Sequence, residues 1–344
     1  MSGSVPLWVE LCAGSAAVTL RLIGGPNARP PISYMGSKRG YAEAILNVLG
    51  LRSGQGADAV VLVEAGPWAR AWRLLTTPEG CRAVAAVILG WVGEDARALW
   101  DRLRAEPVPE DAAEAVGAWL WVTGHGDYSK PPRLAGPWSG NPRNVFSTPR
   151  PGWIARRIDA ALAALSWPPV RVVEGDVCGV GPREVAKWIQ LGAWSYRQGD
   201  LSSGGPVLPG DRRQDTTATA TATARLADID WPSSIVCDAN VHEVQPGVLP
   251  EGTVVYMDPP YAKTTGYAHD LPREKVLEVA QRWAAAGAVV CVSEAEPLPL
   301  DGWHHVEITD CRVGQKRTFS KQKREWLTLN REPAWRPEVQ GELL

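Results

Sequence analysis

The chain has 344 residues, which is enough for one large domain or two domains of medium size. Hydrophobic residues make up 45% and charged residues 22%, a balance that is typical of a soluble folded protein and excludes wholesale disorder. The formal net charge is -2, so a nucleic-acid partner would need a local basic surface.

Membrane and metal signals are absent from the sequence. No apolar run reaches the roughly 20 residues that a membrane-spanning helix needs. The opening residues MSGSVPLWVELCAG lack the basic segment and long apolar core of a secretory signal. The six cysteines form no CxxC pair and have no histidine at zinc spacing. We therefore expect a cytoplasmic protein with reduced thiols, no membrane segment and no metal site.

The first third of the chain alternates between strand-like and helix-like patterns. Gly50 is placed to end one of the helices. In chain order, the patterns predict a strand at 5–11, a helix at 16–23, a helix at 39–49, a strand at 59–63 and a helix at 68–75.

The middle of the chain has a different composition. Residues 123–153 are rich in Gly, Pro, Ser, Asn and Arg, which indicates either an irregular substrate-contacting segment or a mobile loop. Residues 199–224 end in TTATATATA and predict disorder or a long surface insertion. The other patterns predict helices at 81–104, 110–122 and 154–165 and a strand at 170–176.

The last third is regular again. Strands that alternate with helices along the chain predict a mostly parallel, doubly wound α/β sheet. The patterns predict strands at 234–238, 253–257, 288–293, 305–309 and 326–330 and a helix at 272–286.

The tetrapeptide Asp258-Pro259-Pro260-Tyr261 directly follows an apolar strand. The Asp258 carboxylate and the Pro259 carbonyl, which the proline ring holds stiff, can both accept hydrogen bonds from one NH₂ group. Tyr261 offers a ring on which a base can stack. The motif therefore favours chemistry at the exocyclic amine of a nucleobase, and the alternative is an ordinary Pro-Pro turn.

A small-residue turn follows the first strand. Glu10 lies near the carboxyl end of that strand, where open α/β sheets bind ligands. Ala13, Gly14 and Ser15 form a turn whose backbone a ligand can approach closely. Many α/β proteins have such a turn, so the feature alone leaves a purely structural interpretation open.

The segment YMGSK opens the helix at 39–49. Its Gly36-Ser37-Lys38 turn, which follows Tyr34, presents backbone NH groups, a hydroxyl and an ammonium that suit a carboxylate ligand such as an amino-acid tail. The glycine spacing excludes a Walker loop. The alternative is a surface lysine near a helix start.

Two further acids end predicted strands. Glu64 is placed to accept hydrogen bonds from ribose hydroxyls, as a carboxylate at that position commonly does in nucleotide-binding sheets. Asp238 could accept a hydrogen bond from an adenine amine, and Asp176 competes with it for this role. Asp238 is preferred because it lies nearest to the strand that precedes Asp258.

Together these segments resemble the Dam-like class of amino-methylating DNA methyltransferases, which use S-adenosylmethionine. VELCAGSAAV resembles the family's methionine-donor loop, YMGSK its Gly-Gly-Lys segment and DPPY its catalytic tetrapeptide. AAAGAVVCVSEAE followed by RTFSKQKREWLTLN is similar to the family's late strands. The resemblance covers 5–75 and 234–330, while 80–233 matches only vaguely.

The resemblance implies a class I methyltransferase core, a Rossmann-like doubly wound mixed sheet, with an inserted, mostly helical or irregular target-recognition region. The implied core is 1–80 and 231–332, the recognition region 81–198, the low-complexity insertion 199–230 and the tail 333–344. The implied catalytic residues are Asp258, Pro259, Pro260 and Tyr261. The implied donor-binding residues are Glu10, Ala13, Gly14, Ser15, Tyr34, Gly36, Lys38, Glu64 and Asp238.

The function implied is methyl transfer from S-adenosylmethionine to the N6 amine of a flipped adenine in double-stranded DNA. We expect a monomer or weak dimer that uses no metal. Clustered basic residues are expected at DNA phosphates. They are Arg133, Arg143, Lys316, Arg317, Lys321, Lys323 and Arg324.

The sequence departs from the family in two respects. Leu11-Cys12 replaces the usual Pro-Phe, and the Gly-Ser-Lys segment follows the donor loop instead of preceding it. An alternative alignment takes VLVEAGPWARA as the donor loop, in which case Glu10 and Glu64 exchange roles. The first alignment is preferred because Pro67-Trp68 would crowd the donor.

Three other functions compete with adenine methylation. The amine could belong to cytosine N4, although Asp before Pro-Pro favours adenine by resemblance. The substrate could be RNA or a protein glutamine. The chain could also be a non-catalytic DNA-binding relative, which the altered donor loop favours and the intact DPPY opposes. No cysteine follows a proline, so methylation of a ring carbon through a cysteine nucleophile is not supported.

Overall fold

A computed structural model describes residues 3–32, 37–64, 67–125, 249–261, 271–309 and 324–337, the strands at 170–174 and 237–238, and residues 155, 158, 165, 167 and 168. Within these ranges no helix has the length and apolar character needed to cross a membrane. The predicted irregular segment at 123–153 falls almost entirely outside the described residues, and the low-complexity stretch at 199–224 lies wholly outside them.

One mixed sheet organises the described part of the chain. Its order is β4-β3-β2-β1-β5-β6-β8-β7. The pairs from β4 to β6 are parallel, and β8 runs antiparallel to both of its neighbours. The predicted α/β character is therefore confirmed. The strands are β1 (Trp8–Leu11), β2 (Val60–Glu64), β3 (Val170–Glu174), β4 (Cys237–Asp238), β5 (Val254–Met257), β6 (Val289–Glu294), β7 (His304–Thr309) and β8 (Arg324–Leu329).

The helices mostly occupy their predicted places, with one division. The predicted helix at 81–104 is two helices, because Gly93 has a φ of 101° and the Asp95 side chain caps the second one. A 3₁₀ turn at Lys38–Gly40 precedes the second helix of the chain. The helices are α1 (Ala17–Gly24), α2 (Ala42–Val48), α3 (Pro67–Leu75), α4 (Pro78–Gly90), α5 (Ala96–Ala105), α6 (Ala112–His125) and α7 (Arg273–Ala285).

The central strands are buried on both faces. Successive side chains of a strand point to opposite faces, so each strand contributes to two hydrophobic cores. Trp8 and Tyr256 belong to the core shared with helices from α1 to α6. Val9 and Val255 belong to the core covered by α7. This double burial is why the strands appear in the sequence as continuous apolar runs.

The larger core extends across the predicted boundary at residue 80. Trp68 in α3 stacks on Trp72 at 5.4 Å between ring centroids and meets the Trp119 ring of α6 edge-on at 4.9 Å. Strand β3, which falls within the predicted recognition region, pairs with β2 along its whole length. Among the described residues, the boundary at residue 80 therefore does not separate two cores.

The tryptophan cluster generates a stability prediction. We expect Trp68→Ala to lower the free energy of unfolding by about 3–5 kcal/mol, because it empties a fully buried site between α3 and α6. Trp335→Ala is the matched control, since that side chain is 39% exposed and should cost less than about 1 kcal/mol. Chemical denaturation measures both. Equal losses of unfolding free energy in the two variants would contradict a core shared by α3 and α6.

Candidate functional site

The strand order reverses between β1 and β5. Strands β2, β3 and β4 lie on one side of β1, and β5 and β6 lie on the other. In open α/β sheets a ligand binds at the carboxyl ends of the strands where the order reverses. Leu11 and Met257 end these two strands as register partners, and the Asp258 N–H donates to the Leu11 carbonyl at 3.1 Å. The DPPY motif therefore begins beside the loop after β1.

The loop between β1 and α1 has an unusual backbone. Cys12, Gly14 and Ala16 have φ values of 56°, 47° and 46°. Residues with a Cβ rarely adopt this left-handed region, which costs on the order of 1–2 kcal/mol for each of them. Such strain persists only where neighbouring groups hold the backbone, and it is concentrated at ligand sites.

Two side chains hold this loop at Gly14. The Glu64 carboxylate, at the end of β2, accepts a hydrogen bond from the Gly14 N–H at 2.7 Å. The Trp72 indole N–H donates to the Gly14 carbonyl at 2.8 Å. The Ala13 N–H donates to the Val63 carbonyl at 2.9 Å. The turn predicted at Ala13-Gly14-Ser15 thus lies against the end of β2, and both candidate donor-loop acids belong to one site.

Glu10 lies beneath the loop and is only 2% exposed. Its Oε2 accepts hydrogen bonds from the Thr19 N–H at 2.9 Å and from the Thr19 hydroxyl. The Trp8 indole N–H donates to the same hydroxyl at 2.7 Å. Burial raises the pKa of Glu10 to about 8, against the lowering effect of the Thr19 hydrogen bonds. Glu10 is therefore mostly protonated at neutral pH and fastens α1 to β1.

Lys38 contacts three residues of the site. Its side chain is 6% exposed, and its Nζ lies 2.6 Å from Asp258 Oδ1 and 3.6 Å from Glu325 Oε1. The same ammonium lies 4.7 Å from the centroid of the Tyr261 ring. The sequence interpretation placed Lys38 at the carboxylate of a ligand. The structure pairs it with a carboxylate of the chain itself, and its contact with a ligand stays a prediction.

Burial dominates the titration of this cluster. It raises the pKa of Asp258, while the charge and hydrogen bond of Lys38 lower it. Burial also raises the pKa of Glu325 to about 7; the Lys38 charge opposes this shift and the Asp258 charge adds to it. The Lys38 ammonium thus lies within 4 Å of the carboxylates of partly buried Asp258 and buried Glu325.

A hydrogen bond between two serines joins the remaining predicted segments. The Ser15 hydroxyl in the β1–α1 loop donates to the Ser37 hydroxyl at 2.8 Å. The donor-loop candidate, the Gly-Ser-Lys segment and the DPPY motif are therefore neighbours, although the sequence has them in a permuted order. Tyr34 and Gly36 lie outside the described residues.

Asp238 was preferred because it was expected to lie nearest to the strand that precedes Asp258, and this expectation is wrong. Asp238 ends β4, which lies at the edge of the sheet, and three strands separate it from β5. At roughly 4.8 Å per strand spacing, β4 is about 19 Å from β5. Strand β3, which ends two residues before Asp176, lies one strand closer to the site. Nearness in sequence did not correspond to nearness in the sheet.

Of the predicted DNA-contacting residues, the structure describes Arg324 alone, which begins β8. The described residues contain no group of three metal-ligating side chains, and the expectation of a metal-free site stays a prediction. The other residues of the basic set, Arg133, Arg143, Lys316, Arg317, Lys321 and Lys323, lie outside the described residues.

Sequence reasoning missed Glu325. The signal for it was an acid at an inward position of a strand, since Glu325 alternates with the buried residues Leu327 and Leu329. It also missed the buried hydroxyl pair of Tyr256 and Ser293, whose oxygens lie 2.7 Å apart. Such an acid on a core-facing position indicates a partner elsewhere in the chain.

Searches of protein-family models and of curated proteins find no match to this chain.

Glu10 generates a prediction about pH. Because its pKa rises on folding from 4.5 to about 8, the folded chain holds a proton that the unfolded chain loses. Its contribution to stability is therefore complete below pH 4.5 and decreases as pH rises toward about 8. We expect the unfolding free energy of the wild type to fall by about 2–4 kcal/mol more than that of Glu10→Gln as pH rises through this range.

Unfolding free energies measured across this pH range test the assignment. Glu251→Gln, which changes an exposed carboxylate before β5, is the control and should leave the pH dependence as it is in the wild type. An unchanged pH dependence in Glu10→Gln would mean that the buried carboxyl is not the group that titrates.

Proposed function

We propose that the protein transfers a methyl group from S-adenosylmethionine to the N6 amine of an adenine flipped out of double-stranded DNA. The observation that carries the proposal is the position of Asp258. Its partly exposed carboxylate lies 2.6 Å from the Lys38 ammonium, at the strand-order reversal and beside the strained β1–α1 loop. A site of this kind combines a ligand-binding loop with acceptors for an amine.

The sheet supports the methyltransferase part of the proposal. Its order reverses between β1 and β5, its two faces are covered by separate cores, and the antiparallel β8 lies between β6 and β7. A doubly wound sheet with one antiparallel strand fits the class I core that the resemblance implies. Fold alone does not give a reaction, so the argument depends on the residues at the reversal.

The β1–α1 loop fits the methyl donor. Among the residues that the structure describes, a Cβ placed on Gly14 would meet no atom closer than the Cys12 carbonyl oxygen at 4.0 Å. A ligand could approach the backbone there, and Glu64, which contacts the same loop, would accept hydrogen bonds from ribose hydroxyls. Bound S-adenosylmethionine would supply the electrophilic methyl group.

The burial of the two acids supports the first alignment of the donor loop. Glu10 is buried and already bonded to Thr19, which leaves it a structural role. Glu64 is only partly buried and contacts the loop backbone from the end of β2. Because β4 lies at the edge of the sheet, Asp238 is a poor candidate for the adenine ring of the donor, and the competing acid, Asp176, lies outside the described residues.

The DPPY residues have the properties that an amine substrate requires. Lys38 occupies Oδ1 of Asp258, so Oδ2 is the oxygen that would accept a hydrogen bond from the substrate amine. The buried Pro259 would supply the second acceptor through its carbonyl. Two acceptors draw the nitrogen lone pair out of conjugation and aim it at the methyl group. Positioning and exclusion of water then contribute most of the rate.

Tyr261 supports a flipped base as the substrate. Its ring lies over the Lys38 ammonium, a cation–π contact that fixes the ring plane beside Asp258. A base extruded from a duplex needs such a ring to replace the stacking that it loses. The intact arrangement of Lys38, Asp258 and Tyr261 favours a catalytic protein over a non-catalytic DNA-binding relative.

Asp258→Ala tests the catalytic proposal. We expect it to lower methyl transfer by at least about 100-fold, because one acceptor of the amine is lost, while DNA binding survives. Labelled S-adenosylmethionine, unmethylated mixed-sequence DNA and nucleoside mass spectrometry provide the assay. Asp301→Ala, at an exposed turn, is the control.

Each outcome of this assay has a distinct meaning. N6-methyladenine made by the wild type supports the proposal, and amino-methylated cytosine replaces adenine with the cytosine N4 alternative. Full turnover by Asp258→Ala would remove Asp258 from the mechanism. A wild type that binds the donor without labelling DNA would direct the search to RNA or protein.

Donor affinity tests the roles of the two acids. We expect Glu64→Gln to weaken S-adenosylmethionine binding about 10-fold, the equivalent of one charge-assisted hydrogen bond. Glu10→Gln should change the affinity by less than about 3-fold, because the buried carboxyl does not meet the ligand. Isothermal titration calorimetry measures both variants. The reverse ranking would favour the alternative alignment at VLVEAGPWARA.

A further inference from the structure

A small pocket opens between α1, the loop at 28–30 and the start of α2. Three arginines line it, and its remaining walls are mostly small residues. The arginines, which define the arginine pocket, are Arg21, Arg29 and Arg39. Its cavity volume of about 190 Å³ is below the roughly 300–1,000 Å³ of pockets that enclose drug-sized ligands. The arginine pocket therefore suits a small anionic group and is too small to enclose a nucleotide.

The arginine pocket adjoins the candidate site. Ala17, which lines the pocket, is the first residue of α1 and follows the β1–α1 loop. Arg39 lies in the same 3₁₀ turn as Lys38, whose Nζ is 2.6 Å from Asp258 Oδ1. Consecutive Cα atoms are about 3.8 Å apart, so the pocket begins one residue away from the ion pair. An anion bound there would lie at the same edge of the sheet as the DPPY motif.

Contacts within the chain hold the Arg21 guanidinium in place. Its Nη1 donates to the Pro26 carbonyl at 2.5 Å, and its Nε lies 3.6 Å from Glu43 Oε2. The same Glu43 oxygen accepts a hydrogen bond from the Ser53 hydroxyl at 2.9 Å. A guanidinium that is already held loses less side-chain entropy when it binds an oxyanion. Glu43 offsets the charge of Arg21, whereas the exposed Arg29 makes no hydrogen bond or ion pair among the described residues and provides a further positive charge.

We propose that the arginine pocket binds a backbone phosphate of the DNA strand that carries the flipped adenine. The inference rests on the proposed function, which supplies DNA as the partner. A base that enters a site leaves its flanking phosphates at the mouth of that site, and the arginine pocket adjoins the candidate site. The guanidinium fork matches the oxygens of a phosphate, and such contacts fix the register of the duplex without reading its sequence. The pocket thus positions the strand for any base sequence around the adenine.

The first experiment measures binding of the full chain, without donor, to an unmethylated mixed-sequence DNA duplex by fluorescence anisotropy between about 50 and 200 mM salt. We expect Arg29→Ala to reduce the slope of log K against log salt by about 1 and to weaken binding about 5- to 10-fold at about 0.1 M salt, because one phosphate contact is lost. Arg29→Lys keeps the charge and should retain most of the slope. Arg336→Ala is the control, since Arg336 donates to the His305 carbonyl near the start of β7, at the opposite edge of the sheet from Asp258.

Glu43→Gln tests the arginine pocket in the opposite direction. The change removes the negative charge beside Arg21 and keeps the length of the side chain and a carbonyl acceptor. We expect DNA binding to tighten by about 2- to 3-fold, because the positive potential of the pocket rises. General damage to the fold would weaken binding and so does not produce this gain. Unchanged or weaker binding by Glu43→Gln would contradict a phosphate in the arginine pocket.

The second experiment locates the phosphate on the DNA. Once the methylated adenine is mapped, a neutral methylphosphonate replaces each phosphate that flanks this adenine in turn. We expect one of these replacements to weaken binding by the wild type about as much as Arg29→Ala does on the ordinary duplex. At that position the two changes should not add, because both remove the same contact. Full additivity at every flanking position would overturn the inference.

The outcomes separate the inference from the proposed function. A wild type that binds DNA through Arg29 but transfers no methyl group overturns the proposed function and still supports the phosphate site, whereas a wild type that does not bind DNA overturns both. A wild type that methylates DNA while Arg29→Ala keeps its affinity and salt slope overturns the inference alone. Weaker S-adenosylmethionine binding by Arg29→Ala with unchanged DNA binding would assign the pocket to the donor carboxylate and overturn the inference. Tighter Arg29-dependent binding of an RNA duplex would overturn it in favour of RNA.

Discussion

The parallel pairing of β1 with β5 determines the arrangement of the whole site. These strands end together at Leu11 and Met257, and the Asp258 N–H continues the pairing to the Leu11 carbonyl. The chain must leave β1 in one direction and β5 in the other, because the strand order reverses between them. A reversal of this kind is where open α/β sheets form a ligand crevice, and the residues that follow both strands lie beside it.

The convergence of segments at this crevice explains why their order in the chain can vary. The Ser15–Ser37 hydrogen bond joins the β1–α1 loop to the Gly-Ser-Lys segment, and the Lys38–Asp258 ion pair joins that segment to the DPPY motif. Both contacts depend on spatial position alone. A permuted sequence therefore retains the same set of neighbours, which removes the order of the segments as an argument for a non-catalytic chain.

The sequence predicted the regular part of this structure well because local patterns determine it. Strands that are buried on both faces must be apolar throughout, and β1, β2, β5 and β6 were found on that basis. Charge pairing between distant segments leaves no local pattern, so the Lys38–Asp258 pair was not predicted. The alternation in β8 marks Glu325 as facing inward, but it does not identify the partner of Glu325. Asp238 was judged by its distance along the chain, and the sheet placed β4 at the far edge.

The tryptophan cluster connects the helices after residue 78 to the donor loop. Trp72 donates to the Gly14 carbonyl and stacks on Trp68, which meets Trp119 of α6. The left-handed backbone of the loop is costly and needs such support, because its own residues Cys12 and Ala16 do not favour it. The helices that the sequence assigned to target recognition therefore stabilise the β1–α1 loop. Under the proposed function, a region that both supports this loop and approaches the target would link the donor site to the substrate site through packing.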